Sequence, residues 1–151
     1  MRQRNPSSGT YLSEGQWIPH RLELLTSPAW RHRPRPLAKI LERLEIEHLF
    51  HAGKENGELI VTYDQFVAFG ISRRAVYPSL AIGQQLGLIA VSHDEKWGGE
   101  IRPPNRYRLT YVPAKGKKAP TDEWKYLSLE RVQASISKAG EDAMPLHREV
   151  A

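Results

Sequence analysis

Residues 70–92, which read GISRRAVYPSLAIGQQLGLIAVS, form the stretch that decides the fold. Ser72 is a typical helix N-cap, and Gly87 fits a left-handed stop at the end of the same helix. The positions that recur at the spacing of one helical face are Val76, Leu80, Gly83 and Leu86. The apolar run after Gly87 is typical of a strand. The stretch therefore predicts a capped helix that leads through a tight turn into a β-strand.

Pro78 is the anomaly in this helix. A proline inside a helix removes one backbone hydrogen bond and usually kinks the helix, at a cost of about 3 kcal/mol. We therefore expect the helix to be bent or to begin later than Ser72.

Helices and short strands are also predicted on both sides of this stretch. Upstream, residues 37–53 repeat apolar side chains at helical spacing, residues 59–61 form a β-type run, and Thr62 can cap a brief helix. Downstream, residues 88–92 and the alternating residues 106–111 are typical of two strands joined by a glycine-containing loop. The predicted order is helix, strand, short helix, capped helix and β-hairpin.

This order resembles the winged helix-turn-helix superfamily over about residues 37–112. The segments that carry the resemblance are residues 61–66, 70–76, 86–89 and 105–109. It implies an α+β, mostly helical fold with a three-helix core and a β-hairpin wing, whose third helix enters the DNA major groove. Small bacterial regulators and the DNA-binding modules of plasmid or phage replication initiators share this pattern.

The other segments are predicted as extensions of one domain. At 151 residues the chain has room for a single core. Thr121 can cap a final helix that runs to about Lys138. We expect a basic N-terminal arm with a short helix over 1–36, the winged-helix domain over 37–112, a linker over 113–120, and a C-terminal helix with a frayed tail over 121–151.

The positive charge of the chain favours a polyanionic partner and is unevenly distributed. The net charge is +5 and the pI is about 9.6. Lys and Arg outnumber Asp and Glu by seven to two over residues 1–40 and by nine to three over 72–118, whereas residues 41–71 carry two against six. The capped helix lies in a basic block, which supports double-stranded DNA as the partner.

The capped helix supplies the first group of candidate DNA contacts. Arg can fork onto guanine, Gln can bind adenine, and a helix N-terminus can hold a phosphate. The alternative is an ordinary solvated helix surface. The candidates on this helix are Ser72, Arg73, Arg74, Tyr77 and Gln84.

The hairpin and the basic arm supply the remaining candidates. The acidic residues of the wing depart from the basic wing that the resemblance implies, and ordinary surface charge or a solvated linker is the alternative for both groups. The hairpin candidates are Lys96, Arg102, Arg106 and Arg108. The arm candidates, which neighbouring prolines are expected to keep extended, are Arg31, Arg33 and Arg35.

Several other functions lack their signatures in the sequence. The absence of cysteine excludes disulfides and thiolate catalysis. His48 and His51 lie one helical turn apart, but a third metal ligand is missing nearby. The sequence shows neither a nucleotide-binding loop nor a catalytic triad pattern, and neither a membrane span nor a signal peptide. We expect a cytoplasmic protein that is not an enzyme and needs no cofactor or metal.

Two questions about partners stay open at this point. The acidic wing, together with four tryptophans spread through the chain, also suits a winged-helix module that binds protein without binding DNA. The C-terminal helix can pair with its copy in a homodimer or cover the first long helix. Either role would use Leu127, Val132 and Ile136.

Overall fold

The computed structural model describes residues 16–93, Gly99 and residues 103–142. It is an α+β fold with a two-stranded antiparallel sheet. The helices are α1 (Leu22–Leu25), α2 (Pro28–Arg31), α3 (Arg35–Phe50), α4 (Tyr63–Ala68), α5 (Arg73–Gln85) and α6 (Leu129–Asp142). The strands are β1 (Ile89–Ser92) and β2 (Arg106–Leu109), and a 3₁₀ helix spans Glu123–Tyr126.

The sheet forms the predicted hairpin. Ile89 pairs with Leu109 and Ser92 with Arg106 in antiparallel register. Leu59 adds an isolated bridge to Tyr107, so the β-type run before α4 lies on the free edge of β2. The order of α3, the bridge at Leu59, α4, α5 and the hairpin is compatible with a winged-helix-like layout.

Helix α5 begins directly after Ser72 and continues through Pro78, so of the two alternatives for Pro78 the later start is excluded. The four inward positions predicted from its spacing are all buried. Gly83 lies where α5 meets α3, because a Cβ at this position would be 2.9 Å from Leu37 Cδ1 and 2.8 Å from Ile89 Cδ1. The missing side chain lets α5 pack closely on α3 and β1.

The two predicted caps in this region differ. Thr62 and Gln65 form a capping box at α4: the Gln65 amide donates to Thr62 Oγ1 at 3.1 Å, and the Thr62 amide donates to Gln65 Oε1 at 2.9 Å. Ser72 occupies the N-cap position of α5, but its side chain accepts no capping hydrogen bond, which corrects that expectation. Its exposed hydroxyl therefore serves no capping role.

The basic block at residues 31–36 is not the extended arm that was predicted. Arg31 ends α2, Arg35 is the first residue of α3, and Arg33 stacks over the Trp30 ring with its guanidinium carbon 3.9 Å from the ring centre. Pro34 and Pro36 start α3, because a proline at a helix start lacks only an amide that would have had no partner there.

The C-terminal segment belongs to the same core. Trp124 is 1% exposed and Val132 is fully buried, whereas Leu127 and Ile136 are partly buried against the core. The continuous helix predicted from Thr121 was wrong, because Asp122 adopts a left-handed φ of 51° and Leu127 is extended, so α6 begins only at Leu129. The side chains proposed for a homodimer thus cover this chain's own core.

His48 gives the fold a specific pH dependence. Burial lowers the pKa of His48 below its ordinary value of 6.5, and its Nδ1 has no hydrogen-bond partner among the described residues. As the pH falls below about 6.5, the unfolded chain binds a proton that the folded chain resists, so stability falls. We expect the free energy of unfolding to drop from about pH 7 downward by up to about 1.4 kcal/mol per pH unit.

Urea denaturation at several pH values, followed by circular dichroism, measures this drop. His48→Leu should flatten the profile below pH 7, whereas His32→Gln, at an exposed histidine, should leave it unchanged. A His48→Leu profile parallel to that of the parent chain would contradict the assignment to His48.

Candidate nucleic-acid interface

One face of α5 is open to solvent and has no carboxylate of its own. Arg73, Arg74, Tyr77 and Gln84 are all exposed, and the Tyr77 side chain is 70% exposed. No Asp or Glu occurs within α5. These are the outward residues that the sequence predicts. They share one broad face, because Tyr77 lies four positions after Arg73 and three after Arg74, and Gln84 follows Tyr77 by two helical turns. A large exposed tyrosine on such a face is available for a partner rather than for folding.

The two arginines at the start of α5 differ in their surroundings. Arg73 forms an ion pair with Asp64 of α4, and the two side chains are 62% and 82% exposed. Exposed pairs of this kind contribute about 0–1 kcal/mol, so a phosphate can displace Asp64 at small cost. Arg74 forms no ion pair within the part of the chain that the structure describes. Both guanidinium groups are thus accessible to an anionic partner.

The arginines of β2 are bound within the chain. Arg106 is exposed and pairs with Glu58. Arg108 donates to Thr121 Oγ1 and to Glu123 Oε1, the latter at 3.1 Å, and its side chain is only 24% exposed. Partial burial opposes ionisation of Glu123, but hydrogen bonds from Thr121 and Arg108 lower the pKa of that carboxyl. Arg108 therefore attaches the C-terminal segment to the sheet, whereas Arg106 keeps an exposed side chain.

The remaining candidates fall into two groups. Lys96 and Arg102 of the wing lie outside the described residues. Arg31 and Arg35 are exposed, but Arg33 is half-buried and donates from Nη1 to the Trp30 carbonyl at 2.6 Å. Burial lowers the pKa of Arg33, which Tyr111 and Glu45 partly oppose. Arg33 is a packing residue, so it is the weakest of the three arm candidates.

A groove that the sequence did not predict adjoins the exposed face of α5. It has a volume of about 420 Å³ and is bordered by Thr62 at the start of α4, Tyr77 on α5, and His93 and Pro104 at the base of the hairpin. Tyr107 forms part of its wall, and burial raises the pKa of that phenol. Only the three-dimensional fold brings these residues together, since they are up to 45 positions apart. The groove joins α5 and the hairpin base into one surface.

The tryptophans only partly support a protein-binding surface. Trp30 and Trp124 are 7% and 1% exposed and therefore belong to the core. Trp97 lies outside the described residues, and Trp17 is 40% exposed. Two of the four tryptophans that suggested a protein-binding module therefore have a structural role.

Among the residues that the structure describes, no group of three or more His, Cys, Asp or Glu side chains is arranged to hold a metal ion. None of the described helices has the length and apolar character that crossing a membrane requires. No protein-family model, curated protein or solved structure matches this chain.

Proposed function

We propose that this chain is a winged helix-turn-helix protein that binds double-stranded DNA with α5 in the major groove. The observation that carries the proposal is the exposed face of α5, which has no Asp or Glu of its own and begins with two accessible arginines. The hairpin that follows α5 corresponds to the wing. Such binding suits regulation of transcription, or of plasmid- or phage-type replication, in the cytoplasm.

The dimensions and chemistry of α5 support this function. Its 13 residues span about 20 Å, and a helix fits the B-DNA major groove, which is about 12 Å wide. Arg74 has no ion pair to give up among the described residues, and the Arg73 pair with Asp64 is weak because both partners are exposed. Tyr77 and Gln84 continue the same face toward the C-terminal end of the helix. The first turn can contact phosphates and base edges, and the later turns can add contacts to bases.

The test is selection of bound fragments from a random duplex library, followed by fluorescence anisotropy at two salt concentrations. We expect affinity to fall with salt, because the cations release counterions from the duplex. Arg73→Ala with Arg74→Ala should weaken binding of a selected fragment by about 30-fold or more, since two good arginine contacts to bases at about 1–3 kcal/mol each sum to at least about 2 kcal/mol.

The matched control removes two exposed cations from α6, as Arg131→Ala with Lys138→Ala. It changes the net charge equally but leaves α5 intact, so a selected fragment should bind with nearly unchanged affinity. The proposal fails if the unmodified chain binds the duplex no better than an unrelated basic protein of similar charge. It also fails if the α5 and α6 variants lose affinity equally.

A further inference from the structure

A small cationic cleft lies beside the start of α5, on the side facing α3. Its volume is about 280 Å³, and its wall includes Arg35 and Lys39 of α3 together with Gly70 and Ser72 from the turn before α5. No acidic side chain lines it. The cleft therefore combines two positive charges with a hydroxyl group.

The two cations are held near the cleft without being neutralised. Neither Arg35 nor Lys39 forms an ion pair within the described ranges, and both are exposed. The ammonium of Lys39 lies 4.8 Å from the centre of the Phe69 ring, a contact that orients the charge but leaves it unbalanced. A site that is positive and partly ordered suits an anion.

The placement of these charges is unfavourable for α3 itself. Arg35 is the first residue of the helix, where the macrodipole disfavours a cation. Lys39 follows four residues later, and like charges at this spacing on a helix repel each other. The next basic residue on this face, Arg43, pairs with Glu47 at 2.8 Å. Charges that oppose local stability are expected at functional sites, and here an anion would remove the penalty.

We propose that a backbone phosphate of the duplex enters this cleft, bound by Arg35, Lys39 and the Ser72 hydroxyl. The inference rests on the proposed function, because Ser72 directly precedes Arg73 and thereby joins the cleft to the exposed face of α5. A phosphate contact positions the protein on the duplex without reading its sequence. The cleft thus adds affinity for any duplex and fixes the orientation of α5 in the groove.

Fluorescence anisotropy compares three variants on one selected duplex, between about 0.05 and 0.3 M salt. Each phosphate contact contributes about 0.9 to the slope of log affinity against log salt, so the loss of one contact is measurable over this range. Arg35→Gln with Lys39→Gln removes the contact. Lys54→Gln with Lys117→Gln removes the same charge at two exposed positions that do not line the cleft. Arg35→Lys with Lys39→Arg exchanges the cations while keeping both charges. Circular dichroism verifies that each variant is folded.

We expect the cleft variant to lower the slope of log affinity against log salt by about 0.9, and to weaken binding roughly tenfold at 0.1 M salt. The loss should be equal for selected and unselected duplexes, and the exchange variant should retain the parental slope. Replacing the contacted phosphate of the duplex by one methylphosphonate should lower the affinity of the parent chain. The same replacement should not further lower the affinity of the cleft variant, which already lacks the contact.

The possible failures are distinguishable. If Arg73→Ala with Arg74→Ala weakens binding but the cleft variant behaves like the Lys54 and Lys117 control, the cleft inference is overturned and the proposed function stands. Absence of any specific duplex binding by the parent chain overturns both. Binding of inorganic phosphate alone, with the duplex affinity of the cleft variant unchanged, also overturns the assignment to DNA.

Discussion

Asn56→Ala is expected to lower the free energy of unfolding by about 3–5 kcal/mol. Asn56 is 1% exposed, and its amide connects the turn before Leu59 to the end of β2. Its Nδ2 donates to the carbonyls of Leu109 and Val112, each at 2.9 Å, and its Oδ1 accepts from the Leu109 amide at 2.7 Å.

The size of the effect follows from what the substitution leaves behind. Alanine would leave buried backbone groups of Leu109 and Val112 without these partners, and each unsatisfied group costs about 1–3 kcal/mol. Water cannot easily replace the amide, because the position is closed to solvent. The hairpin should lose its support first, since Asn56 is bonded to the end of β2.

Urea denaturation followed by circular dichroism measures this loss. Asn105→Ala is the matched control, because Asn105 adjoins the same strand but makes only a 3.4 Å hydrogen bond to Tyr107 Oη. That control should cost less than about 1 kcal/mol. Equal losses in the two variants would show that the hydrogen bonds of Asn56 do not stabilise the hairpin.

The sequence was sufficient for the parts of the fold that depend on local periodicity. The buried positions of α5 follow from helical spacing, and the glycine stop at its end follows from the backbone conformation that glycine permits. The exposed face of α5, with Arg73, Arg74 and Tyr77, is the complement of those buried positions. For this reason most of the helical part of the candidate interface was predictable residue by residue.

Features that depend on distant partners were not predictable in the same way. The role of Asn56 is one of them, because nothing near it in the sequence indicates its bonds to residues 109–113. Arg33 was assigned to an extended arm, but it stacks on the Trp30 ring and donates to the Trp30 carbonyl. The alternating pattern of residues 106–111 predicts that Arg108 faces outward from its strand. In the structure Thr121 and Glu123 of the C-terminal segment bind it.

The same contacts separate cations that are bound within the fold from cations that are accessible to a partner. Arg108 and Arg33 are bound within the fold, whereas Arg74, Arg35 and Lys39 have exposed charges without an ion pair among the described residues. From the sequence alone these five residues are simply basic, and nothing distinguishes the bound cations from the accessible ones. The unpaired set lies on α5 and in the adjoining cleft, where its charges are open to an anionic partner.

Gly87→Ala is expected to lower the free energy of unfolding by about 3 kcal/mol, for two separate reasons. Gly87 has a φ of +68°, a left-handed conformation that costs about 1 kcal/mol or more for residues with a side chain. A Cβ there would also lie 2.8 Å from the Glu123 carbonyl carbon and 2.8 Å from the Trp124 amide nitrogen. Because these are backbone atoms, no side-chain rotation relieves the overlap, and the 3₁₀ helix must move away.

Gly116→Ala separates the two contributions. Gly116 has a similar φ of +74°, but a Cβ there would meet nothing within 4 Å, so this variant should show only the conformational cost of about 1 kcal/mol. Thermal and urea denaturation give the difference between the two variants. Tryptophan fluorescence should also change in Gly87→Ala alone, since displacement of the 3₁₀ helix exposes Trp124, which is otherwise 1% exposed. Equal losses of stability with unchanged fluorescence would mean that the contact of Gly87 with the C-terminal segment does not hold that segment on the core.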